Sequence, residues 1–360
     1  MSAPAPMLSV VIPVHNVADF LPLCLDSVLF DRSAEVEVVA VDDCSPDRSA
    51  AILADYARRD PRLRVLTLPR NVGLSGARNL GLTSARGEYV WFVDGDDWVS
   101  SGAVEAVLDR LSATRPDVLL VDHVEVFDNG RVVAGTPDGV LRALPSPLRL
   151  AEHPRLLRLA QSACTKVARR AYLHETGLRF SPGWYEDCAF SHPLLMAAER
   201  IEVLDRVCYC YRQRAASGAI TKTRSPRHFE VFAQYERLFA RVDRGGRAYD
   251  VFRPELFRVM TDHYLVIAGN ERRLPPSVRR SFFHRAARDY RRWLPADGYP
   301  MPDGVAGLKH RLLRDDNYPA YAVLRSAYRA ANQLRRTVRR PAEHGYSPAL
   351  HPAVTRPTTS

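Results

Sequence analysis

Two hydrophobic periodicities alternate over the first hundred residues. Leu8 to Val14 is a β-branched run closed by the turn formers His15 and Asn16. Residues 19–30 read as a helix, with Phe20, Leu21, Cys24, Leu25, Val28 and Leu29 on one face. A second strand, Val36 to Val41, runs into Asp42-Asp43-Cys44-Ser45-Pro46, and residues 47–59 form the next helix. Leu63 to Leu68 is a third strand ending at Arg70-Asn71-Val72-Gly73, residues 74–85 a third helix, and Glu88 to Val93 a fourth strand. Strands and helices alternating at this spacing predict a parallel sheet with crossover helices. Ligands of such sheets bind beyond the carboxyl ends of the strands. There the sequence places His15-Asn16, Asp42-Asp43, Arg70-Asn71 and Asp94-Gly95-Asp96. Loop polarity alone accounts for one or two such clusters and poorly for four.

The most informative of the four follows the fourth strand. Asp94, Asp96 and Asp97 place three carboxylates directly after an apolar run, which is costly unless a cation sits there. An Asp-x-Asp pair on a glycine turn suits a hard divalent cation, Mn²⁺ or Mg²⁺, able to neutralise a diphosphate leaving group. A plain acidic surface turn is the competing reading. Gly73, Gly76 and Gly81 surround a helix start beside Arg78, where unpaired N–H groups suit phosphate. Close helix–strand packing is the alternative for Gly76. The segment after the first strand lacks the glycines of G-x-G-x-x-G, and no G-x-x-x-x-G-K-S/T occurs.

Taken in order, IPVHN, VDDCSPD, NVGLSGARNLG and VDGDDW resemble the family-2 glycosyltransferases. The resemblance is strong over about residues 7 to 110 and fades by about residue 220. It implies an α/β, GT-A (Rossmann-like) mostly parallel sheet flanked by helices. It implies further that Asp43 contacts the nucleotide base and that Pro13, Val14 and Asn16 face the base and ribose. Asp94 and Asp96 would hold the metal and donor diphosphate, with Asp97 a possible extra ligand, and Gly76, Arg78 and Asn79 would lie near the donor nucleotide. The donor implied is a nucleotide-diphosphate sugar, most commonly a UDP-sugar. The acceptor would be a cell-surface glycan, a lipid-linked molecule or a polyol phosphate.

An inverting transfer needs a carboxylate to take the acceptor hydroxyl's proton. Glu186-Asp187, between the turn Phe180-Ser181-Pro182-Gly183 and an apolar helix over residues 191–198, matches that need, with Asp187 as base and Glu186 as its orienting neighbour. Helix capping is the competing reading. Tyr209-Cys210-Tyr211-Arg212 resembles the Tyr-x-Arg segment that follows the base in related enzymes, which implies that Arg212 reaches the diphosphate and that a mobile lid lies near Ser217-Gly218. An ordinary basic loop is the competing reading. Lys166 sits where relatives carry an acceptor-side residue.

Charge is unevenly distributed. Residues 251–340 carry 19 Lys and Arg against 8 Asp and Glu, whereas residues 1–250 carry 31 against 32. The pattern there is helical, with Phe282, Phe283, Tyr290 and Trp293 among the arginines, which suits an anionic membrane surface or polyanionic acceptor. A solvated basic bundle is the competing reading. Residues 1–225 are expected to form the catalytic domain, 226–340 a basic helical C-terminal domain and 341–360 a disordered tail. The six cysteines show no C-x-x-C and no zinc spacing, so no disulfide framework is expected. No secretory signal is evident, and no run reaches the roughly 20 apolar residues of a membrane helix. A cytoplasmic protein, peripheral on the inner face of the membrane at most, is therefore expected. A nucleotidyltransferase would need a glycine-rich loop with a basic residue after the first strand, which is absent. A non-catalytic carbohydrate or nucleic-acid binder would tolerate broken carboxylates, yet Asp43, Asp94, Asp96 and Asp187 are all present.

Overall fold

Leu8–Val14 (β1), Leu21–Leu29 (α1), Val36–Asp42 (β2), Ser49–Arg59 (α2), Leu63–Thr67 (β3), Gly73–Ser84 (α3) and Tyr89–Phe92 (β4) open the chain in the computed structural model. They match the expected elements to within two residues at each end. The structure describes residues 5–30, 33–137, 140–159, 161–214 and 222–338. The described residues fall into two compact units, one of residues 5–152 and 161–213, the other of 153–159 and 214–338.

In the first unit the strands run in the order β3-β2-β1-β4, every pair parallel. All seven residues of β1 and of β2 are buried, as both faces of a parallel sheet demand. Helix α3 lies so close to this sheet that a Cβ at Gly81 would come within 2.3 Å of Val11 Cγ1. Close packing therefore explains Gly81. At Gly76 the added Cβ would meet Val72 Cγ2 at 2.6 Å, so this glycine answers to its own first helical turn.

Trp98–Val99 (β5), Ala103–Thr114 (α4), Val118–Phe127 (β6), Val132–Ala134 (β7), Lys166–Arg169 (β8), Arg170–Glu175 (α5), Glu186–Met196 (α6) and Ile201–Gln213 (β9) complete this unit. The sheet continues β4-β8-β6-β9-β5, with β7 on β6. β8 is antiparallel to both β4 and β6, while β6 and β9 are parallel. The sheet is thus parallel where strand–helix–strand units build it and mixed beyond. Helix α6 begins at Glu186, five residues earlier than the apolar pattern indicates, because two acidic residues open its first turn.

The second unit is helical: Glu230–Gly245 (α7), Arg247–Asp250 (α8), Arg253–Gly269 (α9), Pro276–Trp293 (α10), Gly304–Arg314 (α11) and Tyr318–Val338 (α12). Its core corrects one expectation. Phe282, Phe283 and Tyr290 are buried, and Trp293 stacks on Phe239 with ring centroids 4.7 Å apart. These rings build the core of the bundle and are therefore withdrawn from any anionic surface. A polar chain also runs through this unit. Tyr290 Oη lies 2.9 Å from Tyr299 Oη, and Tyr299 Oη 2.8 Å from His310 Nδ1. His310 Nε2 lies 2.8 Å from Asp262 Oδ1, whose Oδ2 accepts from Arg258 Nε at 2.8 Å. No helix among the described residues is long and apolar enough to cross a membrane. The expected lid around Ser217-Gly218 and the expected tail 341–360 lie outside the described residues.

Candidate active site

The carboxyl ends of β1 and β2 carry unusual backbone. Asn16 after β1 and Cys44 after β2 both have φ of 55°, a left-handed conformation that side-chain-bearing residues rarely adopt. Pro13 and Val14 are buried and press on the turn after β4. A Cβ at Gly95 would meet the Pro13 carbonyl oxygen at 3.1 Å and Val17 Cγ2 at 3.2 Å, so a side chain there would crowd the turn. His15 Nδ1 lies 2.9 Å from the Asp43 carbonyl, and the Asn71 amide reaches both His15 and that carbonyl.

Asp43 is buried and ties two loops together. Its Oδ1 accepts from Val72 N at 2.6 Å and its Oδ2 from Gly73 N at 2.8 Å, at the N-terminus of α3. Each oxygen keeps a further lone pair. Asp43 therefore holds the loop that flanks the crevice, whatever else it binds.

The centre of the site is Arg78. Its side chain is only 1% exposed. Nη2 donates to Asp94 Oδ1 at 2.7 Å, and Nη1 donates to Glu186 Oε1 and Asp187 Oδ1, each at 2.9 Å. One guanidinium thus joins the Asp-x-Asp turn to the first turn of α6. Burial alone would favour losing its proton, but Asp94, Asp187 and the other acidic neighbours outweigh that and hold it charged. The ring of Phe180 lies 5.0 Å from the guanidinium carbon. Asn79 is engaged too: its amide donates to the Phe180 carbonyl and accepts from Phe180 N, both at 2.9 Å, so it clamps a loop beside the site.

Glu186 and Asp187 differ. Glu186 is buried, and burial, reinforced by Asp187, pushes its carboxyl up to about 7. Asp187 keeps 24% of its side chain exposed, and burial raises its pKa too, opposed by Arg78. Tyr185, just before them, has φ of 66°, a strained conformation that turns the chain into α6. Lys166 is buried beneath the site, bonded to Ser162 O at 2.8 Å and Thr165 Oγ1 at 3.0 Å. Burial pushes its ammonium down to about 8, against the pull of Asp187.

On the other side of the turn, Asp97 faces inward. Its Oδ2 accepts from Tyr209 Oη at 2.5 Å and its Oδ1 from Arg212 N at 2.8 Å. Asp97 is a strut between the turn and β9, so its expected part as an extra metal ligand is withdrawn. Arg212 donates Nε to the Asp96 carbonyl at 2.8 Å, its guanidinium 4.6 Å from the Trp98 ring centroid and 4.9 Å from that of Phe20. It sits beside the Asp-x-Asp turn. Tyr209 escapes a sequence reading because its partner is 112 residues away.

Among the described residues no group of three or more His, Cys, Asp and Glu side chains is arranged to hold a metal ion. Asp94 and Asp96 still offer an oxygen donor set. Two carboxylates suit Mg²⁺ or Mn²⁺ when phosphate oxygens and water supply the remaining ligands. Asp94 keeps 26% of its side chain exposed, although its Oδ1 already accepts from Arg78.

Residues 9–173 match the family model "Glycosyl transferase family 2". The chain is 32% identical over 216 residues to the uncharacterized glycosyltransferase EpsJ of Bacillus subtilis, covering 59% of this chain and 62% of that one. It is 30% identical over 243 residues to the succinoglycan biosynthesis protein ExoO of Rhizobium meliloti, covering 66% and 68%. The chain thus spans less than two thirds of EpsJ, and only 34% of the glycosyltransferase GlyA of Streptococcus pneumoniae. The crystal structure of Staphylococcus aureus TarS 1–349 in complex with UDP-GlcNAc superposes with a TM-score of 0.70 at 22% identity, over 90% of this chain and 92% of that one. The fold is GT-A, and the chain belongs to glycosyl transferase family 2.

Proposed function

We propose that this protein is an inverting glycosyltransferase. It would move a sugar from a UDP-sugar to a hydroxyl of a cell-surface glycan, a lipid-linked molecule or a polyol phosphate. The observation that carries this reading is the single guanidinium of Arg78 joining Asp94 to Glu186 and Asp187. It sets a donor-side carboxylate and a partly exposed base candidate around one point.

Asp94 and Asp96 would hold Mn²⁺ or Mg²⁺ with the donor diphosphate, and the bound ion would neutralise charge on the leaving group. Asp187 takes the proton of the acceptor hydroxyl as that oxygen bonds to the anomeric carbon. The bond from that carbon to the diphosphate breaks on the opposite face, and UDP leaves. The raised pKa of Asp187 makes it a better base than an open aspartate. Glu186 orients the acceptor side, Asp43 and Asn16 flank the nucleoside, and Arg212 steadies the turn that carries Asp96. TarS is a poly(ribitol-phosphate) beta-N-acetylglucosaminyltransferase by name, and GgaB of Bacillus subtilis a minor teichoic acid biosynthesis protein. These support an N-acetylglucosaminyl donor and a polymeric acceptor. The excess positive charge of residues 251–340 supports an anionic acceptor or membrane face near the second unit.

The test is UDP release from a panel of UDP-sugars with Mn²⁺, for wild type and Asp96→Asn. Wild type should turn over at least one donor, EDTA should abolish the activity, and Asp96→Asn should lose roughly 10²-fold or more. Full activity in excess EDTA would remove the metal from the reading.

A further inference from the structure

The two halves of the crevice come from distant parts of the chain. Asp94 follows β4, whereas Glu186 and Asp187 open α6. We propose that Arg78 is a positioning residue for sugar transfer: it fixes the reach between Asp94 and the Glu186–Asp187 pair and acts through those carboxylates. The inference rests on the reading of Asp187 as the base.

Three observations carry it. Helix α3 acts as a splint, because Ser75, Arg78 and Asn79 share one face at i, i+3 and i+4 and bond to the segment leading into α6 or to its first turn. Ser75 Oγ donates to Ser181 O at 2.7 Å, Asn79 clamps both backbone groups of Phe180, and Arg78 takes Glu186 and Asp187. The guanidinium fork is planar, with Nη1 turned to the acceptor side and Nη2 to the donor side. Phe180 lies under it, and Phe180 is itself stacked on Phe190 at 3.9 Å and edge-on to Phe92 at 5.0 Å. The fork therefore has little freedom to swing. Finally, three carboxylates gather around this one buried cation. Without it they would repel one another and the halves would separate; with it, hydrogen-bond lengths set their spacing. A group this buried, with both terminal nitrogens bonded to the protein, is poorly placed to grip the donor, the role the sequence alone had suggested.

Lysine keeps the charge but replaces the fork with a single ammonium unable to hold both sides in one geometry. The experiment compares Arg78→Lys with wild type by UDP release from UDP-GlcNAc with Mn²⁺, water serving as acceptor, and by calorimetry of UDP binding. Misplaced reacting groups should cost about 10²-fold in kcat, while KM and the UDP Kd stay within about 3-fold. In an Asp187→Asn background, Arg78→Lys should cost less than about 3-fold more, because the two act as one unit. A UDP affinity that falls in step with turnover would make Arg78 a donor ligand and overturn the proposal, as would fully multiplicative effects of the two substitutions. Should Arg78→Lys fail to fold, Glu186→Gln loosens the same fork: about a 10-fold lower kcat at unchanged UDP Kd supports the proposal, and unchanged kcat overturns it. If Asp187→Asn alone turns over like wild type, the base assignment fails. If Asp187→Asn is inactive while Arg78→Lys is as fast as wild type, only the positioning role fails.

Discussion

Each unit holds a polar network, and the two networks are built on opposite rules. In the second unit, Tyr290, Tyr299, His310, Asp262 and Arg258 form a chain in which donors and acceptors match one to one. Burial alone would raise the Asp262 carboxyl, but the bonds from His310 and Arg258 outweigh it and hold the group below its ordinary range. In the first unit, Asp94, Glu186 and Asp187 share one guanidinium, and burial raises both Glu186 and Asp187. Left-handed Asn16 and Cys44 lie at neighbouring strand ends, and left-handed Tyr185 directly precedes Glu186. A matched network stabilises; an over-subscribed one stores charge and strain for a ligand to relieve. On the proposed reading, the over-subscribed network is the reaction centre and the matched one is scaffold.

The sharpest way to break this comparison is Asp187→Asn. The amide is nearly isosteric but a far weaker proton acceptor, so turnover should fall on the order of 10²-fold or more. Calorimetric UDP affinity should hold, and thermal stability should hold or rise, since one of three crowded carboxylates is gone. A marked drop in melting temperature would place Asp187 among the scaffold groups.

Asp43→Ala probes the border between the two classes. Asp43 is structural, through Val72 N and Gly73 N, and is also proposed to contact the base. The substitution should weaken UDP binding by about 1–3 kcal/mol, with a smaller loss of stability because water can reach the freed N–H groups. Calorimetry and a melting curve on the same sample check the ratio, and a loss confined to stability would leave Asp43 with the loop alone.

These distinctions mark what a sequence discloses. The strand–helix alternation through β4 is legible because each element buries one face with its own period, and the polar strand ends follow from it. Asp94, Asp96, Glu186 and Asp187 stand out as carboxylates beside apolar runs. The meeting of Asp94 with Glu186 and Asp187 is not legible, because it depends on Arg78, whose neighbours in sequence resemble any phosphate-binding helix start. The inward turn of Asp97, set by Tyr209 on β9, is hidden for the same reason: its partner is remote in sequence. In the second unit, arginine-rich helices with interspersed aromatics read equally well as a membrane face or a core. Only packing reveals that Phe282, Phe283 and Tyr290 are inside.

A smaller effect is expected in the matched network. Tyr299→Phe removes the hydroxyl between Tyr290 and His310 and leaves two polar groups without their partner. It should cost about 1–3 kcal/mol of stability, read by denaturant titration, with UDP affinity unchanged. Asp262 adds a pH signature. Its folded-state pKa is depressed, so its contribution is present above the ordinary aspartate range and lost as pH falls through the lower folded value. Acid titration of Asp262→Asn should show a shallower loss of stability below about pH 4 than wild type.

The most direct test of the reaction centre is the stereochemistry of its product. Proton NMR at early times, before mutarotation, reports the anomeric configuration of the sugar released from an α-linked UDP-sugar. Attack assisted by Asp187 from the face opposite the diphosphate predicts the β-anomer as the first product. Release of the α-anomer would mean retention, and would contradict Asp187 as the base of a single displacement.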